Sequence, residues 1–483
     1  MSLSRLRAEW APSIPRELMA GAVATFALIP EVIAFSFVAG VDPAVGLFAS
    51  FVISIVVAFT GGRPAMISAA AGSVALVAAP LVQAHGLPYL LAAGVLAGLV
   101  QVLFGVLRLG ALMRFVSSSV RTGFVNALAI LIFAAQIPHL VGANGATWGM
   151  LALGLAIIYL LPRLSSVIPS PLICIVVLTV IASWFNLPLK TVADLGQLPD
   201  ALPVFAWIDL PLTLETLRLI ALPALAIAMV GLLESMMTAS VVDDLTDTPS
   251  SKNRECSGLG LANIAASFFG GIAGCGMIGQ TVSNVRYGGR GRLSTLFAGV
   301  FLLILMVLLK PWVSQVPVAA LVAIMVMVSA STFDWGSLRA LVVHPRMSSA
   351  VMLATVVVTV ATDNLAAGVA VGVMLSGVFF TFKVAHLLDV RAHDDDADGT
   401  RHYRVTGQVF FASADLFVDA FDVRETEGRP VRIDVTQAHF WDVTAVGALD
   451  KVVQRLGKHG SAVEVIGLNR ASEVLIDKLG TKA

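Results

Sequence analysis

The chain reads as an α-helical polytopic membrane protein followed by a small α/β domain. Three observations predict this class. First, 57% of the 483 residues are hydrophobic and only 13% are charged, with a mean hydropathy of +0.89. Soluble domains carry a charged fraction of about 25%. Second, apolar runs punctuated by Gly, Pro or charge fill residues 16–388. Third, the composition changes sharply after Val390. The net charge is zero, so nothing points to a nucleic-acid partner. Cys174, Cys256 and Cys275 lack CxxC spacing and predict neither a disulfide framework nor a metal site.

A membrane-spanning helix needs about 20 apolar residues. The sequence places spans near 18–39, 43–60, 64–82, 87–107, 119–137, 147–162, 167–186, 217–243, 256–271, 277–288, 292–311, 316–332, 347–362 and 365–388. The expectation is therefore fourteen spans. Arg5, Arg7 and Arg16 precede the first run without a small-residue cleavage site, so that run reads as a retained span. With the N-terminus inside, Arg63, Arg108, Arg114, Arg121, Arg163, Lys252, Arg254, Arg286, Arg290, Arg292, Arg339, Arg346 and Lys383 fall on the cytoplasmic side. Only Lys190, Arg218 and Lys310 fall outside. This bias predicts a multi-pass protein of the cell's inner membrane with both termini cytoplasmic.

The tail begins with an acidic stretch, 391–402, holding Asp394, Asp395, Asp396 and Asp398. It reads as a solvated linker between a transport domain, 1–390, and a soluble domain, 403–483. Strands near 403–411, 431–436 and 462–468 alternate with helices near 413–421, 444–458 and 470–479. That alternation predicts crossover connections.

The third and tenth spans are interrupted. One opens Gly61-Gly62-Arg63-Pro64-Ala65-Met66 and continues to Gly72; the other opens Gly270-Gly271-Ile272-Ala273-Gly274-Cys275 and continues to Thr281. Seven spans separate them, so they run in opposite directions, as an inverted repeat of seven plus seven requires. Irregular backbone at bilayer depth is tolerated only inside protein or against a wet cavity. If each segment is extended first and helical second, two helix N-termini meet near the midplane and favour an anion. Close packing of small residues is the alternative reading.

Two acids lie in mid-span. Glu31 follows Pro30 in the first span, and no Asp or Glu occurs between residues 43 and 193. Glu234 lies in the eighth span, with Thr238 one turn along. A carboxylate at this depth costs several kcal/mol, roughly, unless protonated, paired or wet. Both acids are candidates for proton or ion coupling, against the alternative of neutral, hydrogen-bonded core groups. No nucleophile–base pair, metal cluster or phosphate loop stands out, so the chain does not read as an enzyme.

Several segments resemble the SulP family, solute carrier family 26 in animals. Pro30-Glu31-Val32-Ile33-Ala34-Phe35 and Asp42-Pro43-Ala44-Val45-Gly46-Leu47-Phe48 are similar to its Pro-Gln-x-x-Ala-Tyr/Phe and x-Pro-x-x-Gly-Leu-Tyr patterns. Leu232-Leu233-Glu234-Ser235, Gly260-Leu261-Ala262-Asn263-Ile264, Phe269-Gly270-Gly271 and Asn284 match in order and spacing. The tail resembles a STAS domain through Ile433-Asp434-Val435-Thr436, Asp442-Val443-Thr444 and Gly447-Ala448-Leu449. Val443 stands where related domains carry a phosphorylated Ser, so a structural or assembly role is expected for it.

The resemblance implies a core domain (spans 1–4 and 8–11) moving against a gate domain (5–7 and 12–14), and a homodimer in membrane lipid. It implies an anion site comprising Glu31 and Phe35, the turn Ala69-Ala70-Ala71, Glu234, and Gly279-Gln280-Thr281. Departures inform the coupling. Many members have Gln at the Glu31 position. Animal members often carry Ser-Arg near Gly279-Gln280, so the pocket here is expected to lack arginine. Sodium-coupled bicarbonate members have Asp at the Glu234 position and a Thr near Ile278, which offers no side-chain oxygen. The expectation is a secondary transporter with H⁺ rather than Na⁺ as coupling ion and no other cofactor. Its cargo is a small inorganic or organic anion, with a dicarboxylate such as fumarate ahead of bicarbonate or sulfate. The rivals are a sodium-coupled bicarbonate symporter, an uncoupled channel or exchanger, a nucleobase–proton symporter and a membrane-anchored scaffold.

Overall fold

The described residues of the computed structural model are 9–111, 116–164, 170–195, 202–211, 213–343, 345–394, 399–426 and 428–479. Arg5, Arg7 and Arg114 of the charge bias lie outside them, as do Asp395, Asp396 and Asp398 of the acidic stretch. The chain forms two compact units, Met1–Val373 and Met374–Ala483.

Each of the fourteen apolar segments contains one helix. The first half holds α1 (Ile14–Ala39), α2 (Pro43–Thr60), the short strand β1 (Ser68–Ala69), α3 (Gly72–His85), α4 (Leu87–Val106), α5 (Ser118–Ala134), α6 (Gly145–Leu164) and α7 (Ser170–Trp184). The second half holds α8 (Leu214–Thr246), α9 (Lys252–Phe268), the short strand β2 (Cys275–Gly276), α10 (Ile278–Arg286), α11 (Arg292–Val313), α12 (Val318–Thr332), α13 (Arg346–Thr362) and α14 (Leu365–Ala385). By length and composition, eight stretches among the described residues are apolar enough to cross a membrane, and α3, α7, α11 and α13 are shorter apolar helices. Neither α9 nor α10 meets either standard. The first is rich in Ser, Asn and Gly, and the second has nine residues.

The reason lies in packing. α9 sits against α2 and α4, so its polar residues face protein. At the α4–α9 crossing Gly98 meets Gly260. A Cβ on Gly98 would lie 2.6 Å from the Gly260 carbonyl oxygen, and the converse distance is 2.5 Å. Small residues let the two backbones approach this closely. α11 packs on α1 and α2, while α8 packs on α3, α4 and α10. α5, α6, α12 and α13 pack mainly on one another, with α7 on α6. The first group holds both interrupted segments.

In the second unit, β3 (Asp389–Asp394), β4 (Arg401–Val409), β5 (Val431–Phe440) and β6 (Val463–Ile466) form one sheet in that order. β3 pairs antiparallel with β4, and the pairs β4–β5 and β5–β6 are parallel. Helices α15 (Ala414–Asp419), α16 (Val443–Lys458) and α17 (Arg470–Leu479) make the connections and the C-terminal cover. The strand–helix order follows the sequence expectation, with the middle strand extended to Phe440. The stretch expected as linker differs. Residues 391–394 belong to β3, which runs from Asp389↔Thr406 to Asp394↔Arg401. The acids obscured an alternating pattern in which Val390 packs on the core. α16 starts at Asp442, whose carboxylate accepts the Ala445 N–H at 2.8 Å. Its Ala445, Ala448, Leu449, Val452 and Leu456 are buried at helical spacing.

Phe417 is fully buried, with its ring 5.1 Å from that of Phe421 and 5.8 Å from that of Phe440. Phe417→Ala is expected to cost this unit about 3–5 kcal/mol. Calorimetry of the full-length variant should show one transition moved to lower temperature. An unmoved transition would contradict the packing described.

Candidate functional site

The two interrupted segments meet. β1 and β2 pair antiparallel, Ser68 opposite Gly276 and Ala69 opposite Cys275. Each strand is followed by a helix, α3 from Gly72 and α10 from Ile278. The order is therefore extended first and helical second in both, and the directions are opposed, as the sequence predicts. The crossing is tight: a Cβ on Gly274 would lie 2.0 Å from the Ala69 carbonyl oxygen.

Two-residue strands leave most of their backbone unpaired, and buried backbone groups require partners. Surrounding helices supply them. Asn263 of α9 accepts the Gly274 N–H at 2.8 Å and donates to the Gly274 carbonyl at 3.2 Å. Ser235 accepts the Gly276 N–H at 2.8 Å, and Thr238 donates to the Gly276 carbonyl at 2.9 Å. On the other segment, Ser54 donates to the Ser68 carbonyl at 2.9 Å and Ser50 accepts the Ala70 N–H at 3.2 Å. Thr281 accepts the Ile67 N–H at 2.9 Å, and Asn284 donates to the Ala65 carbonyl at 2.8 Å. Two further carboxylates serve the adjoining turns. Glu255 accepts the Gly62 N–H at 2.7 Å, and Glu17 accepts the N–H groups of Arg290, Gly291 and Ser294. Both are fully buried.

A cavity of about 550 Å³ opens against this crossing. One wall holds Glu31 and Phe35 of α1, Gly72 and Ser73 of α3, Glu234 and Met237 of α8, and Met277, Ile278, Gly279, Gln280, Ser283 and Arg286 of the β2–α10 segment. The opposite wall holds Phe124, Val125, Leu128 and Ile132 of α5, Met327, Val328, Ser331 and Thr332 of α12, and Pro162, Ser170 and Pro171 from the ends of α6 and α7. Gly72, Ser73, Ile278, Gly279 and Gln280 occupy the first turns of their helices. First-turn N–H groups have no intrahelical acceptor and carry the positive end of the dipole. The wall thus presents two such ends to an anion.

The carboxylates are held differently. Gln280 hydrogen-bonds to the Glu31 side chain. Glu234 is pinned through one oxygen: its Oε2 accepts the Ser73 hydroxyl and the Cys275 thiol, the latter at 3.0 Å. Ser73 Oγ and Cys275 Sγ are 3.8 Å apart. One donor comes from each interrupted segment.

Of the residues expected at the site, Glu31, Phe35, Glu234, Gly279 and Gln280 line the cavity. Ala69, Ala70 and Ala71 do not. They are fully buried in the crossing, and Gly72 and Ser73, one step on, face the cavity. Thr281 is turned away, its hydroxyl engaged by Ile67. Thr238 is held between the carbonyls of Glu234 at 2.8 Å and Gly276 at 2.9 Å. The expectation of a pocket without arginine is corrected, because Arg286 lines it. Gly279, Ser283 and Arg286 recur at i, i+4 and i+7 and share one helix face. That spacing was the available signal. Ser73, as the first polar residue after Gly72, was another. Nothing in the sequence marked the Cys275 thiol as a donor to a carboxylate 41 residues earlier.

The chain is similar to known proteins over nearly its whole length. Residues 14–152 and 143–355 match the model of the Sulfate permease family, and residues 392–483 match that of the STAS domain. The putative sulfate transporter YbaR of Bacillus subtilis is 50% identical over 474 residues, covering 98% of each chain. The solved transmembrane domain of a cyanobacterial bicarbonate transporter, BicA, is 26% identical, with a TM-score of 0.67, covering 73% of this chain and 96% of that one. The murine anion transporter Slc26a9 in its inward-facing state shares the fold at 18% identity, with a TM-score of 0.84, covering 96% of this chain and 87% of that one.

Asn263 also donates to Gln101 Oε1 at 2.8 Å. Asn263→Ala would strip partners from both backbone groups of Gly274, at about 1–3 kcal/mol for each buried group left unpaired. The variant should unfold at lower temperature and lose the stabilisation that an added anion gives. A wild-type melting profile would show that the crossing does not depend on these bonds.

Proposed function

This chain belongs to the sulfate permease family and is an anion transporter, and we propose that it carries its anion together with protons, by alternating access. The carrying observation is that two carboxylates, Glu31 and Glu234, share one cavity wall with two helix N-termini. An ionised carboxylate repels an anion at that wall, and protonation removes the repulsion. Each ligand then favours the other, which is coupling in the thermodynamic sense. Sodium fits the surroundings of Glu234 less well. Oε2 faces hydroxyl and thiol donors rather than oxygen acceptors, and thiols suit softer metals. Ile278 adds no side-chain oxygen.

A small dicarboxylate such as fumarate is the cargo this reading favours, because two protonatable groups can balance two charges. The second reading is a single-centre anion, sulfate or bicarbonate. It is favoured by the names borne by the relatives, YbaR and BicA. In either case the α1–α4 and α8–α11 group carries the site as one body past the wall formed by α5–α7 and α12. The transporter works in the plasma membrane, as a homodimer embedded in lipid, with both termini in the cytoplasm.

The test is uptake of labelled fumarate, sulfate and bicarbonate into proteoliposomes, with and without a pH or Na⁺ gradient. Glu31→Gln and Glu234→Gln should each reduce accumulation driven by external acid by about tenfold or more. They should leave downhill exchange measurable. Continued acid-driven accumulation in both variants would refute proton coupling at these residues. Current that ignores the pH gradient would support an uncoupled channel instead.

A further inference from the structure

Arg286 has no assigned part in the arrangement above, yet it is the only cationic side chain among the described residues that line the cavity. Several other basic residues near this end are committed. Arg63 and Lys252 meet Asp243 at 3.4 Å and 3.0 Å. Arg292 meets Glu9 at 2.7 Å, and Arg290 donates to the Val285 carbonyl at 2.6 Å. The Arg286 guanidinium is exposed and makes no hydrogen bond or ion pair among the described residues. Neither cavity carboxylate neutralises it.

Its position relative to the helix ends is fixed. Arg286 is the last residue of α10, on the face shared with Gly279 and Ser283. Seven residues of helix place its Cα about 10 Å along the axis from that of Gly279. Side chains lean toward the helix N-terminus, so the guanidinium starts back toward the anion-favouring end. A single-centre anion seated on the two N-termini leaves this gap unfilled. An anion with a charged group at each end can seat one on the N-termini and offer the other to the guanidinium. That fork matches a carboxylate bidentately. Because α10 packs with α1 and α8, the distance between the two subsites stays constant while that group of helices moves.

We propose that Arg286 is a specificity-determining residue that binds the far carboxylate of a two-ended anion whose near end sits at Gly279-Gln280. The inference rests on the dicarboxylate reading above and deepens it. It also accounts for the absence of a fixed charge at Gln280, since the charge stands further along the same helix.

The experiment is calorimetric titration of the full-length protein with fumarate and, separately, with sulfate. Wild type is compared with Arg286→Gln and Arg286→Lys, each checked for an unchanged melting temperature. Arg286→Gln should weaken fumarate binding about tenfold or more. It should weaken sulfate binding by no more than about threefold, the reach of an exposed charge without direct contact. Arg286→Lys should fall between wild type and Arg286→Gln for fumarate. Equal weakening of both anions, or of neither, overturns the inference and leaves the dicarboxylate reading standing. Wild-type protein that binds sulfate but not fumarate overturns both.

Discussion

Backbone that crosses apolar surroundings must find hydrogen-bond partners, and the first unit is arranged around that requirement. The segments before α3 and α10 are extended at the place where the site is built. Their two-residue pairing satisfies only part of what they expose. Ser50, Ser54, Ser235, Thr238, Asn263, Thr281 and Asn284 supply the rest from four helices. Polar residues scattered through apolar runs are therefore the scaffold of the crossing. This also accounts for α9, a helix too polar to face lipid. Its Asn263 partners the Gly274 backbone inside the bundle, and its glycines let α4 come close enough to cover it.

Once the crossing is held, the chemistry of the cavity follows. The same crossing aims two helix N-termini at one space and brings a donor from each segment to Glu234. Glu31 stands nearby against Gln280, and Arg286 closes the other end of the same helix face. The wall contributed by α5 and α12 holds no charged residue. Charge recognition is thus confined to one group of helices, and the opposing wall offers an apolar surface with a few hydroxyls. A surface of that kind can slide past a site without competing for its ligand.

Much of this was legible in the residues. Gly-Gly followed by small residues, repeated seven spans apart, carried both the opposed direction and the extended-then-helical order. Glu31 and Glu234 were visible as acids where acids are otherwise excluded. Hydroxyls were harder. Thr238 and Thr281 look like ligands in sequence, yet each faces backbone, because spacing does not tell whether a hydroxyl serves a substrate or a neighbouring carbonyl. Arg286 was visible as a topological charge, and its i+7 relation to Gly279 was obscured by that reading. The acids after Val390 likewise hid a strand whose alternation lay one residue earlier.

The β1–β2 pairing has a consequence for how the chain is made. Ser68 and its partner Gly276 are about 200 residues apart, so the first emerges from the ribosome long before the second. At 5–20 residues per second, the interval is roughly 10–40 s. During that time the residues before α3 lie near or in the bilayer without the strand and the α8–α10 side chains that later satisfy them. The nascent first half must keep this stretch wet, shielded or outside the hydrocarbon until the second repeat arrives. Assembly of this crossing is therefore a delayed closure, in which a segment made about 200 residues later completes the hydrogen bonding of one of the earliest.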